Sequence, residues 1–401
     1  MAEWISRTLG EVTSFIAKGI PPKYTKKESK NTIRVLNQKC NRNFEISYVE
    51  SRLHNVELKK VPEDKYLQTG DVLINSTGTG TAGRVAQIFE IPTPTTVDGH
   101  MILIRPTDEI DPLYYGYAIK SYQKKVENLA EGSTGQTEIN RQRLQDEICI
   151  TFPRDKVLQK EIGTFLFQID EKIKNNKQIN NNLEQQMKTI FNKFISERSV
   201  TSKISVEKVV LTANTGADAI QKAPIVDYNT GIRCVRVGDM TNNRSFHDWG
   251  YTKVTEEVFN RYQLHKNDII VTRTASLGLN TIISEDLQAV YNNGLIRLSI
   301  NDKKALPLFI YHQFQTDDFS NYIARIESET SVRPNMKINY LLKYEFELPS
   351  IYEQNILIDL LQPMNRQQNS LINEIKVLES IRDTLLPKLM SGELDVSNIN
   401  F

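Results

Sequence analysis

Gly78, Gly80 and Gly83 form the pattern G-x-G-x-x-G directly after an apolar run, Val72-Leu-Ile-Asn75. Glycines so spaced cradle a pyrophosphate when a strand precedes them and a helix opens after them. The second condition fails here. The next residues, Arg84-Val-Ala-Gln-Ile-Phe-Glu-Ile91, have strand character, and Asp98 falls short of the distance at which an acid would meet a ribose. A plain glycine-rich turn fits better, with close backbone approach to DNA as its functional variant and a nucleotide-binding enzyme using Gly78–Gly83 as an alternative. The histidines (His54, His100, His247, His265, His312) lack metal-ligand spacing, and no cysteine lies near one in sequence. A nucleophile elbow, a Walker A loop and an Asn-Pro-Pro-aromatic motif are all missing, so the chain reads as a binding protein without catalytic residues or a metal.

Side chains suited to base readout recur instead. The first half offers Asn37, Gln38, Asn41, Arg42, Asn75, Ser76 and Arg84, and the second Arg236, Asn242, Asn243, Arg244, Arg273, Asn292 and Asn293. Arg matches guanine, and Asn or Gln matches adenine, through paired hydrogen bonds in the major groove. Gly132-Ser-Thr-Gly-Gln136 and Glu329-Thr-Ser-Val-Arg333 add one polar loop late in each half. Residues 18–43 hold Lys18, Lys23, Lys26, Lys27, Lys30, Arg34, Lys39 and Arg42 against Glu28 alone, a pattern of either a solvated face or a phosphate-facing one.

The elements that must position these residues occur twice. Ile5-Ser6 returns as Ile204-Ser205, and Ile33-Arg-Val-Leu36 as Ile232-Arg-Cys-Val235. The segment around Asp71 returns around Asp268, and Phe152-Pro153 returns as Leu348-Pro349. Two segments 195 residues apart share a helical apolar seam: Ile162, Leu166, Ile169, Ile173, Leu183 and Met187 in one; Leu357, Leu361, Met364, Leu371, Ile375, Leu378 and Leu385 in the other. Steps of four and three keep such a stripe on one face of a coiled-coil helix. Asn176, Asn180, Gln368 and Arg382 interrupt the seams, which suits register fixing or a further packed subunit. Lys plus Arg exceed Asp plus Glu by three over residues 151–202 and fall short by three over 351–401, so the helices suit each other as antiparallel partners. Pro387 is expected to end or kink the second helix near Leu386, and Gly392 to stop it.

Val72–Asn75, Met101–Arg105, Ile269–Thr272 and Leu295–Ile300 read as strands, and Pro112–Ala130 and Pro307–Ile326 as amphipathic helices. Tyr114, Tyr117, Ala118 and Tyr122, like Phe309, Ile310, Phe314 and Phe319, read as core rather than as base-stacking platforms. The fold class is mixed α/β (α+β). Globes at residues 1–155 and 201–350 are separated by helical segments at 156–200 and 351–401, the helices forming an antiparallel coiled coil. The 401 residues can bury cores of two or three domains, and Lys plus Arg (50) nearly cancel Asp plus Glu (49). Widely spaced Cys40, Cys149 and Cys234, with no secretory or membrane-spanning apolar stretch, place the expected location in the cytoplasm.

With these features in place, the chain resembles the specificity subunits of type I restriction-modification systems over essentially its whole length. The resemblance rests on the duplication and on Leu385-Leu-Pro-Lys-Leu-Met-Ser-Gly-Glu-Leu394, supported by Leu348-Pro-Ser-Ile-Tyr-Glu-Gln354, Gly70-Asp-Val-Leu-Ile-Asn75 and the Gly132–Gln136 loop. It implies a non-catalytic reader of double-stranded DNA, each globe being a target recognition domain for one half of a bipartite, asymmetric site. The helices would set the spacer between half-sites and dock two methyltransferase (modification) subunits. Those subunits would carry S-adenosylmethionine, this chain holding no cofactor, and motor-nuclease (restriction) subunits would complete the restriction enzyme. The implied DNA contacts lie among the polar residues above: Lys23, Lys26, Lys27, Arg34, Asn37, Gln38, Arg42, Asn75, Ser76, Arg84 and Gln136, then Arg236, Asn242, Asn243, Arg244, Arg273, Asn292, Asn293 and Arg333. A coiled-coil adaptor whose globes bind protein is the other alternative.

Overall fold

A computed structural model describes residues 3–131, 137–197, 203–329 and 335–394, in two compact units. One comprises Met1–Lys177 with Asn373–Phe401, the other Gln178–Ile372. These units cut across the expected boundaries, because each long helix gives one half to each unit. The reason is packing. Leu158, Ile162, Leu166, Leu386, Leu389 and Met390 complete the core of the first globe, and Met187, Phe191, Leu357, Ile358 and Leu361 that of the second.

In the first unit, Thr13–Lys18, Met101–Pro106, Val72–Asn75 and Val85–Gln87 form an antiparallel sheet in that order. Thr95–Val97, Thr32–Leu36, Arg52–Asn55 and Tyr24–Thr25 form a second sheet, its first pair parallel. Alternation explains the uninterrupted apolar strands: Val72, Ile74, Ile102 and Ile104 enter one core, and Leu73, Met101 and Leu103 the other. Trp4–Thr8 and Cys149–Pro153 close the globe as an antiparallel pair.

The second unit repeats this order. Val210–Thr215, Leu295–Ile300, Ile269–Thr272 and Asn280–Ile282 make one sheet; Ile225–Val226, Tyr251–Thr252, Arg233–Val235 and Ala289–Tyr291 make the other, the last two strands parallel. Ile269 and Val271 face one core and Ile270 the other. Lys203–Ser205 pairs with Glu345–Glu347 as the closing clasp. Helices Val237–Thr241 and Glu256–Tyr262 are additions of this unit.

Both expected globe helices are interrupted. Pro112–Ser121 and Gln123–Asn128 are separated at Tyr122, and Pro307–Gln313 and Asp317–Glu329 by a turn at Phe314–Thr316. At the second break the Thr316 hydroxyl donates to the Gln313 carbonyl and accepts from Phe319 N, ending one helix and capping the next. The aromatic stripes are core: Tyr114, Tyr117, Phe309, Phe314 and Phe319 are all buried.

The long helices run Lys156–Ser196 and Ile351–Ser391, 41 residues each, or about 60 Å of rise. Asp155 caps the first through Val157 N (2.8 Å), and Ser350 with Glu353 forms a capping box on the second. Pro387, expected to end or kink the second helix, does not end it. A proline inside a helix costs about 3 kcal/mol, yet Leu386, Leu389 and Met390 on either side of it are buried in the globe core. The helix stops at Gly392 (φ 74°), where Glu393 N closes on the Lys388 carbonyl at 3.0 Å.

The helices pair antiparallel, the first half of one against the second half of the other within each unit. In the first unit Ile169, Ile173 and Ile375 cluster, flanked by Lys172–Glu374 (3.4 Å) and Lys177–Glu379 (2.9 Å). Along the seam Ile162, Leu166, Ile169, Ile173, Leu183, Met187, Leu357, Leu361 and Ile375 are buried, while Met364, Leu371, Leu378 and Leu385 are half-buried. Asn176 is buried with an unpartnered Nδ2.

Each globe is fastened to its own following helix by the same positions. Gln159 bonds Pro153 O (2.8 Å) and Asp111 N (2.6 Å); Gln354 bonds Pro349 O (2.8 Å) and Leu306 N (2.8 Å). Tyr117 donates to Asp170 at 2.7 Å, and 195 residues on Asn365 Nδ2 lies 3.0 Å from His312 Nε2. His312 is buried against Phe191 and Tyr311, and burial pulls its pKa down to about 4. The folded pKa lies below the unfolded one, so the unfolded chain takes up the proton first. This contribution is complete above about pH 6.5 and is lost as pH falls toward 4, by about 3 kcal/mol. Urea unfolding of the second unit at pH 7 and 4.5 is expected to show that loss, and His312→Gln to lack it; an equal acid loss in the variant would rule the histidine out.

Candidate nucleic-acid interface

At the end of the central strand pair three segments meet, identically in both units. In the first, Ser76 N donates to His100 O (2.9 Å) and Ile139 N to Ser76 O (2.8 Å). In the second, Arg273 N donates to Gly294 O (2.9 Å) and Met336 N to Arg273 O (2.8 Å). Isolated bridges Thr77–Glu138 and Thr274–Asn335 extend the match. Register therefore equates Ser76 with Arg273, Asp98 with Asn292, and His100 with Gly294. The scaffold is the same, and the residues built into it differ.

The glycine pattern of the first unit is a strand-to-strand turn, not the opening of a helix. Gly78 has φ 114°, and a Cβ at Gly83 would come within 2.5 Å of the Glu127 backbone, so both positions require glycine. The second unit turns with Ala275 (φ 63°) and Gly278 (φ 79°). Beside the first turn, the Thr77 hydroxyl and His100 Nδ1 lie 2.8 Å apart, and Asp98 accepts from His100 N at 2.9 Å. Burial pushes the Asp98 carboxyl up, while His100, Tyr24 and Arg52 hold it down.

Several polar residues singled out from sequence lie beneath this surface as braces. Asn37, Asn75 and Ser76 are buried. Asn37 donates to Glu50 O (2.8 Å) and accepts from Lys39 N (2.9 Å); Asn75 donates to Gln38 O (3.1 Å) and accepts from Asn41 (3.2 Å). Arg34 reaches Ser51 at 3.1 Å. Arg236 donates to Cys234 O (3.0 Å) and Ala223 O (3.4 Å), and Arg273 to Met336 O and Asn293 O, both at 3.0 Å. Asn292 accepts from Gly294 N (3.2 Å). Buried polar groups need partners, and backbone carbonyls brought close by the fold supply them for Asn37, Asn75, Arg236 and Arg273.

The accessible remainder is smaller. Lys23, Lys26, Lys27 and Arg42 are exposed; Gln38 and Arg84 are half-buried at the glycine turn, Arg84 donating to Gly80 O (3.1 Å). In the second unit Asn242, Asn243, Arg244 and Asn293 are exposed, with Arg244 3.2 Å from Asp239. Gln136 and Arg333, with their loops, lie outside the described residues. Thr77, Asp98, His100 and Tyr24 were not singled out, although aligning the two halves around Asp98 and Asn292 would have flagged the divergence. Among the described residues no acidic, His or Cys cluster could hold a metal ion, and no helix is long and apolar enough to cross a membrane.

Comparison with known proteins identifies the family and agrees with the fold. Residues 1–185 and 210–380 match the type I restriction modification DNA specificity domain. The chain is 20% identical over 319 residues to the specificity subunit of the type I restriction enzyme EcoBI of Escherichia coli, covering 72% of this chain and 66% of that one, just under two thirds. It is 22% identical over 393 residues to the MjaIX specificity subunit of Methanocaldococcus jannaschii, covering 89% and 85%. Its fold is similar to the S subunit of a type I restriction-modification system from M. genitalium (TM-score 0.62, 18% identity, 97% and 96% covered). With most of both globes and of both long helices inside the matched residues, the chain belongs to the type I restriction-modification DNA specificity family.

Proposed function

We propose that this chain is the sequence reader of a type I restriction-modification complex, each unit contacting one half of a bipartite, asymmetric duplex target. The observation that supports this most directly is the three-segment cluster, built twice on one scaffold with different side chains at Ser76/Arg273, Asp98/Asn292 and His100/Gly294. A duplicated fold with divergent loops gives two readers of different half-sites. In this reading Gln38, Arg84, Asn242, Asn243, Arg244 and Asn293 carry base contacts, and Lys23, Lys26, Lys27 and Arg42 carry phosphate contacts. The paired helices set the spacer and dock two methyltransferase subunits. Those subunits bind S-adenosylmethionine and flip the adenine that is methylated, and motor-nuclease subunits join for cleavage. This chain orients the partners and makes no covalent change itself.

Long-read methylation sequencing of cells with and without the gene tests the reading. One bipartite adenine motif is expected to disappear on deletion. An unchanged methylome would instead favour an adaptor whose globes bind protein.

A further inference from the structure

We infer that the two units grip the DNA backbone unequally, the first through a lysine strap at Lys23–Lys30 for which the second has no counterpart. This rests on the DNA-reading role proposed above.

Strand register makes the comparison position by position. Tyr24 and Thr25 face His54 and Leu53, while Ile225 and Val226 face Thr252 and Tyr251 in the equivalent pair of strands. Lys23 thus corresponds to Pro224, Lys26 to Asp227 and Lys27 to Tyr228. The connection to the next strand carries Lys26, Lys27 and Lys30 with Glu28 in the first unit; in the second, Asp227 is its sole charged residue. The four strap lysines are exposed, and among the described residues none is ion-paired. The second unit instead exposes apolar Ile225 (70%) and Tyr228 (52%).

Of the second unit's cations near this strand pair, Lys222 and Lys253 are exposed but lie outside the connection, and the two arginines are spent on its own fold. Arg233 bonds the Trp249 carbonyl and Tyr251 (2.9 Å), and Arg236 bonds Cys234 and Ala223.

The strap also adjoins the reading loops of its own unit. Arg52 lies over the Tyr24 ring at 5.0 Å, and Tyr24 Oη donates to Asp98 at 3.4 Å. Asp98 in turn holds His100, which meets Thr77 of the glycine turn. Exposed ammonium groups on flexible stems suit phosphates rather than base edges: they add affinity that depends on salt and carry no sequence information.

The test uses the full chain and a fluorescent duplex of unrelated sequence between 50 and 250 mM NaCl. For K23Q/K26Q/K27Q/K30Q, the slope of log affinity against log salt is expected to flatten by about two to three and low-salt affinity to fall about 10- to 100-fold. The second-unit control K222Q/K253Q is expected to stay within about twofold, and the methylated motif of both variants in the assembled complex to keep its sequence. Thermal melting checks that both variants fold. Equal slope changes in the two variants, or none in the first, overturn the inference while the reading role stands if the methylome still depends on the gene. A wild-type chain that binds no duplex at low salt, with an unchanged methylome on deletion, overturns both.

Discussion

Inserting one heptad after Lys177 and another after Ile372 is expected to lengthen the unspecified spacer of the methylated motif by about three base pairs. Both half-sites should be unchanged. Seven helical residues add about 10 Å of rise, and duplex DNA rises about 3.4 Å per base pair. A heptad keeps the apolar stripe on the same face, whereas an insertion of another length would rotate it. The two sites are where the compact units divide, so neither globe core is cut. They lie between the Ile169–Ile173–Ile375 cluster and the next buried seam residue, Leu183. A heptad in one helix alone should abolish methylation, because facing seam residues would no longer meet. Long-read sequencing of cells carrying each variant reports the outcome. An unchanged spacer in the double insertion would mean that the helices do not set it.

Asp170→Ala is expected to destabilise the first unit by about 2 to 4 kcal/mol while leaving the second unaffected. Asp170 receives Arg382 at 2.8 Å on one oxygen and Tyr117 at 2.7 Å on the other, joining central helix, C-terminal helix and globe. Both charged side chains are about three-quarters buried. Alanine leaves a buried guanidinium and a buried phenol hydroxyl short of their shared acceptor, and Arg382 keeps only its bond to Asp383 (2.9 Å). The second unit solves the same junction without a charge pair. The positions 195 residues away from Asp170 and Arg382 are Asn365 and Met187. Asp170→Asn combined with Arg382→Met should therefore cost less than the sum of the two single changes. Urea unfolding of the four proteins gives the coupling; additive effects would show that the pair contributes nothing beyond its separate members.

Much of the architecture was legible in the residues. The seam period, the four apolar strands and the aromatic core stripes depend on burial patterns that repeat at short range, and such patterns survive translation into structure. Duplication strengthened each of them, since two imperfect copies rarely mislead in the same place. Local exceptions were less legible. Pro387 has a strong intrinsic preference against a helix interior, but buried Leu386, Leu389 and Met390 override it. The breaks at Tyr122 and Thr316 come with local hydrogen bonds that periodicity does not register.

The candidate interface was legible in type more than in position. Exposed Lys23, Arg42, Asn243 and Arg244 were found because charge and amide content mark surfaces. Asn75, Arg236 and Arg273 carry the same chemistry, yet they serve neighbouring carbonyls. Composition cannot tell a side chain that faces solvent from one that closes a loop.

By itself, then, the sequence determined the repeat, the strand and helix types and the family, because each is carried by side-chain identity at fixed spacing. The tertiary structure alone decided that each long helix is shared between two cores, that Ser76 and Arg273 occupy one position of a duplicated loop cluster, and that a lysine strap adjoins the cluster in the first unit only. Those outcomes depend on which distant segments meet, and whether a polar group reaches water or a carbonyl is settled only when they do.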